Sequence, residues 1–149
     1  MPTEPIGQLM RAPIAGVLSW VFPGLGHLYL GDRARGIVLM AAITLTFWTG
    51  IAIGGVRETV DPQHQRLWFS AQLLTGGNTL SALAWHEADR VRQAKAGQHP
   101  DPSHWASVDV GSHYTGVAGL MNLLVILDAI GRAEGASSRR RRPSAAGGG

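Results

Sequence analysis

Cysteine is absent from the 149-residue chain. That excludes disulfides, a thiolate metal site and a cysteine nucleophile, and leaves the redox compartment open. Charge is the second scarcity. No Asp, Glu, Lys or Arg occurs from Ile37 to Val56, from Leu67 to Trp85 or from His113 to Leu127. Runs of roughly 17–25 such residues match the hydrocarbon core of a bilayer, and buried helices of small soluble domains seldom stay uncharged all round for so long. The mean hydropathy of +0.06 is mild only because polar segments dilute these runs.

The net charge of +3 and pI near 10.2 would suit a nucleic-acid partner. Four of the thirteen basic residues, however, form the run Arg139 to Arg142 beyond an apolar segment. A basic run so placed acts as a topology signal or a contact with anionic headgroups, so no nucleic acid is expected. A cleaved leader ending near Gly24-Leu25-Gly26 is not expected either, because apolar character resumes at His27-Leu28-Tyr29-Leu30.

The chain length suits one domain. Residues 1–13 read as a polar tail, 14–131 as a multi-pass membrane domain and 132–149 as a disordered basic tail. Ile14 to Leu30 is the first membrane segment, with Pro23 expected to kink it near Ser19 to Pro23. Gly31 to Gly36 is a tight connection, and Ile37 to Val56 is the clearest span. Arg57 to Arg66 reads as a loop around Asp61-Pro62. Leu67 to Trp85 is a weaker span, diluted by Gln72, Thr75, Asn78, Thr79 and Ser81 but bracketed by two interfacial indoles. Its helix should continue into water and stop at Gly97, before the loop HPDPSHW. Tyr114 to Ile130 is the fourth segment, with Ser112 as N-cap and Gly131 at its end.

The stretch FPGLGHLYLGDRARG carries Gly24, Gly26, Gly31 and Gly36. Its flanks are not strand and helix, and its spacing is not that of a dinucleotide-binding loop. A membrane corner explains it better, since glycines let a chain reverse and let helices approach closely.

PGLGHLYLGDRARGIVLM resembles the first hairpin of small bacterial membrane proteins related to the two-transmembrane-helix domain, through Pro23, Gly24, Gly26, Tyr29, Gly31 and Gly36. HYTGVAGLMNLLVILDAIGR is similar to the closing helix of an uncharacterised bacterial inner-membrane family, a domain of unknown function. The resemblance implies a multi-pass protein of the bacterial cytoplasmic membrane, with no reaction attached.

Few residues carry candidate chemistry. Asp128 is costly in a membrane helix, but Arg132 follows at i+4 and should pair with it. Asn122, on another face, should hydrogen-bond across to Gln72, Thr75 or Asn78. His27 is expected to donate to a backbone carbonyl. His99 and His104 lack the helical spacing of a zinc pair, and no nucleophile motif or placed carboxylate pair is visible, so neither metal, cofactor nor enzyme activity is expected. Gly50 and Gly54 form a GxxxG for close packing, within the chain or between chains.

The sequence therefore points to an all-α integral membrane helical bundle with about four hydrophobic segments. The leading role is a non-enzymatic scaffold or interaction component, with a membrane-protein partner or a second copy. The alternative is a small transporter or channel component using Asn78, Asn122 and Asp128. Basic residues favour both termini in the cytoplasm.

Overall fold

The computed structural model describes residue 7 and residues 10–55, 59–60, 66–97 and 106–141. Regular structure among the described residues is all helical. The elements are α1 (Arg11–Val21), α2 (Leu25–Tyr29), α3 (Arg33–Gly54), α4 (Arg66–Gln72) with a 3-10 turn at Leu73–Thr75, α5 (Gly77–Lys95) and α6 (Ala106–Arg141). The Asp61-Pro62 turn, the HPDPSHW loop with His99 and His104, and the tail after Arg141 lie outside the described residues.

The frame is α3 against α6. Among the described residues these two helices are long and apolar enough to cross a membrane. They run antiparallel, with Arg35 3.7 Å from Asp128 near one end. Near the other end a β-carbon on Gly50 would stand 2.7 Å from the Gly111 carbonyl. The GxxxG approach thus lies inside the chain. Ile43, Phe47 and Ile51 of α3 form the core with Ala118 and Val125 of α6, joined by Ala82 of α5 and by Val60.

Ile14 to Leu30 is a reversal, not one kinked span. Pro23 cannot donate to a helix ladder. Phe22 is extended at φ −146°, ψ 130°, and Gly24 takes φ +84°, so the chain turns back. Gly26 then lies against the Ala15 carbonyl; a continuous helix would hold these residues about 16 Å apart. Along α6, α1 runs from Ala15, packed with Ala129 and Ala133, to Ser19 at Asn122. The return stroke, α2, sets His27 beside Asp128.

Leu67 to Trp85 is broken in the same way. After the 3-10 turn Gly76 adopts φ +42°, ψ −95°, a conformation L side chains rarely adopt. From Trp68 at Gly116, α4 follows α6 to Leu74 at Asn122. Then α5 leaves toward the Gly54 end of α3. It touches α3 where Asn78 donates to Thr44 at 3.4 Å and where the Trp48 and Trp85 rings lie 6.0 Å apart. The indoles Trp68 and Trp85 therefore sit on different helices. As expected, α5 ends at Lys95, with Gly97 at φ +66° just beyond.

Two boundaries also differ from expectation. The first hairpin closes by Asp32, so Arg33 to Gly36 are the first turn of α3. At the other end, α6 starts before Ser112, which is buried inside it, passes Gly131 and continues to Arg141. The extension is held because Ala129 and Ala133, one turn apart, bury against Ala15, with Ala12 and Leu30 around them. Residues 132–141 are thus helix where a disordered tail was expected.

Candidate functional site

The two reversals meet end to end at Asn122. Its amide Nδ2 donates to the Ser19 carbonyl at 3.0 Å and to the Leu74 carbonyl at 2.7 Å. Those carbonyls belong to the last turn of α1 and to the 3-10 turn after α4, where intrahelical donors run out. One side chain thus satisfies an orphan acceptor from each hairpin. Trp20 adds a second tie, donating from Nε1 to the Leu73 carbonyl at 3.1 Å. Gly76 is needed here, since a β-carbon would collide with the Trp20 carbonyl.

Toward the Gly54 end lies a second polar group. Gln72 Nε2 donates to the Thr59 carbonyl at 2.9 Å and to Thr115 Oγ1 at 2.7 Å. Thr75 and Thr79 both donate to the Gln72 carbonyl and lie between this group and Asn122.

At the opposite end sits a charged group. His27 is fully buried, and its Nε2 meets Asp128 Oδ2 at 2.8 Å. Arg132 Nε donates to the same oxygen at 2.9 Å. Arg132 also reaches Asp32 at 3.6 Å. Asp128 itself is about half exposed, beside a shallow cleft lined by Leu127, Gly131, Arg132, Gly135 and Ala136.

Among the described residues seven buried side-chain atoms have no hydrogen-bond partner. Five fall on these three groups, Ser19 Oγ, His27 Nδ1, Thr59 Oγ1, Gln72 Oε1 and Asn122 Oδ1, and a sixth, Ser112 Oγ, adjoins them because Thr115 donates to the Ser112 carbonyl. Unsatisfied buried groups are uncommon, and their concentration on these groups is a property of the site.

The singled-out residues distribute unevenly. Asp128 and Arg132 form the expected i, i+4 pair. His27 bonds to Asp128 instead of a carbonyl, because α2 folds back beside α6. Asn122 does reach the Gln72 to Asn78 segment, but its partners are backbone carbonyls of Leu74 and Ser19. Pro23 and Gly36 are buried at the hairpin, Tyr29 is exposed, and Gly31 is open with φ +93°. Ser19, Thr115 and Asp32 were not singled out. The signal that could have found the second break is the Gly76-Gly77 pair, a turn dipeptide inside an apolar run.

Residues 14–141 match the family described as Family of unknown function (DUF6677). The chain belongs to this family. No curated protein and no solved structure matches it. The DUF6677 match takes in both hairpins and the part of α6 beyond Gly131.

Proposed function

We propose that this DUF6677 protein is a non-enzymatic integral membrane protein. In this reading α3 and α6 cross the bilayer, and two opposed re-entrant hairpins replace two of the four expected spans. The apolar windows of α3 and α6 are only 28% and 39% buried. Val38, Leu45 and Leu124 are each about two-thirds exposed. A water-soluble surface seldom presents such continuous apolar faces, whereas lipid covers them without cost. Non-helical backbone at membrane depth is tolerated where protein buries it, as at Asn122.

Of the two roles, a small transport or channel component is the better supported. The observation that carries it is the meeting of two broken helices at one buried amide. Broken helices that meet inside a bundle recur at the solute sites of transport proteins; here Asn122 occupies the Ser19 and Leu74 carbonyls, and its own Oδ1 is the atom left over. A scaffold role has its own support: Gly131 and Gly135 face open space on α6, where a second helix could approach.

The likeness to bacterial inner-membrane proteins supports a cytoplasmic-membrane location. With re-entrant hairpins, Arg11, Arg33, Arg35, Arg132 and Arg139 to Arg141 share the side of the termini. Arg66, Arg90, Arg92 and Lys95 lie opposite, seven basic residues against four among the described residues. That distribution supports a cytoplasmic side for the termini. The test is purified protein in sealed liposomes. Leakage of ions or small polar solutes above the lipid background supports transport; tight vesicles, with a membrane partner recovered by in vivo cross-linking, favour the scaffold.

A further inference from the structure

The six orphaned atoms are strung out along α6, from the level of Ser112 to that of Asp128, and are not gathered at one point. On α6, Ser112, Thr115 and Asn122 share one face, as residues three and seven apart do. From Ser112 to Asp128 is about 24 Å along the helix, against a hydrocarbon core of roughly 30 Å. Thr59, Gln72 and Ser112 lie toward one end, Ser19 and Asn122 at the hairpin junction, and His27 and Asp128 toward the other end. Asp128 turns off the shared face, and the fully buried His27 bridges that gap.

The two amides among the orphans are left with acceptors only. Both amide nitrogens are already donating, Asn122 Nδ2 to Ser19 and Leu74, Gln72 Nε2 to Thr59 and Thr115. What is left over is acceptor oxygens, hydroxyls that can accept and donate, and one imidazole nitrogen. Such a line is suited to water molecules that donate to each oxygen in turn. An alkali ion would instead need several oxygens converging on one point.

Resting on the transport reading, we infer that the line conducts protons between the Thr59–Ser112 end and the half-exposed Asp128. At the Asp128 end the relay balances. His27 takes a proton on Nδ1 while its Nε2 proton passes to Asp128 Oδ2, which leaves a neutral ring of the other tautomer. Asp128 then releases that proton to water, and reorientation of the ring resets it. The charged groups around this step are Asp128 and Arg132 on α6, Arg35 on α3 and Asp32 in the turn before it. The one charged residue of α1 is Arg11, at its start. Histidine and carboxylate chains are the usual means of moving protons through membrane proteins.

The test uses the full-length protein in liposomes with a trapped pH dye and an inward potassium diffusion potential. Internal acidification should scale with the protein added. Ser19→Ala removes an orphan hydroxyl but keeps the carbonyl that Asn122 uses, so it should cut the flux severalfold in a folded protein. His27→Gln should do the same. Thr46→Val removes a hydroxyl that bonds the Ala42 carbonyl on α3, away from the line, and should leave the flux unchanged. Release of alkali ions or neutral solutes without acidification would overturn the proton inference and keep the transport reading. Vesicles tight to every species would overturn both. Proton flux indifferent to Ser19→Ala would overturn the route.

Discussion

His27 and Asp128 are 101 residues apart in sequence and 2.8 Å apart in space, a fully buried ring against a half-exposed carboxylate. The contact fastens the first hairpin to the end of the long helix, and Arg132 joins it on the same oxygen. A hydrogen bond to a charged group contributes about 1.5–3 kcal/mol, and the cost of an orphaned buried partner adds to it. His27→Leu should destabilise more than Arg132→Leu, because the His27 bond is made by a fully buried ring whereas Arg132, 41% exposed, is screened by water. In a double-mutant cycle, His27→Leu with Asp128→Leu should couple by about 0.5–3 kcal/mol. Additive losses in thermal melts of the detergent-solubilised protein would count against the pair.

The glycines separate into three kinds, and substitution should rank them. A β-carbon on Gly119 would be driven into the Ala71 carbonyl, and one on Gly24 into the Gly36 carbonyl. Backbone cannot yield as a side-chain tip can. Gly31 has φ +93° but open space around it, so Gly31→Ala should cost only the left-handed penalty of about 1–2 kcal/mol. Gly131 has neither constraint, and Gly131→Ala should be neutral or stabilising by up to about 1 kcal/mol. The expected order of melting temperature is Gly131→Ala above Gly31→Ala above Gly119→Ala. A Gly119→Ala protein as stable as Gly31→Ala would mean α4 does not sit on α6 as described.

Helix as such was legible in the sequence because charge-free apolar runs leave few alternatives, and α3 came out nearly whole. The Asp128–Arg132 pair was legible because it is local to one helix. The reversals were harder to read. Hydropathy measures how apolar a run is, not whether it goes straight, and both hairpin segments are as free of Asp, Glu, Lys and Arg as the spans. Pro23 announced a disturbance, yet a proline kinks far more membrane helices than it reverses; the deciding feature is Gly24 with positive φ next to it. The partners of Asn122 were out of reach for another reason. Sequence patterns locate side chains, and these acceptors are backbone carbonyls made available only by the breaks themselves. The end of α6 was misread because an arginine run looks like tail, while two alanines one turn apart are a weak sign of packing.

Topology offers the sharpest separation between four spans and two spans with opposed hairpins. The absence of cysteine makes the chain a clean background for labelling. Arg33 and Arg66 are both exposed, at the starts of α3 and α4. With re-entrant hairpins, Arg33→Cys lies on the side of the termini and Arg66→Cys on the opposite side. With four spans the two assignments exchange. An impermeant maleimide applied to intact cells should label Arg66→Cys and spare Arg33→Cys if the termini are cytoplasmic. The reverse pattern would restore four spans with the same terminal orientation.

Asn122 concentrates the largest consequence in one side chain. Asn122→Leu keeps the branching pattern, though not the smaller volume, and strands the Ser19 and Leu74 carbonyls at the centre of the bundle, where each unsatisfied acceptor costs about 1–3 kcal/mol. Asn122→Asp should be worse when ionised, because it sets a negative oxygen against two carbonyl oxygens where there was a donor. Ser19→Ala should be nearly silent for stability, since Asn122 uses the backbone of Ser19 and not its hydroxyl. The ordering of thermal stability in detergent is therefore Ser19→Ala close to wild type, then Asn122→Leu, then Asn122→Asp. If Asn122→Leu melted with Ser19→Ala, the hairpins would be held by the Trp20–Leu73 bond and the glycine contacts instead, and the junction would not depend on the amide.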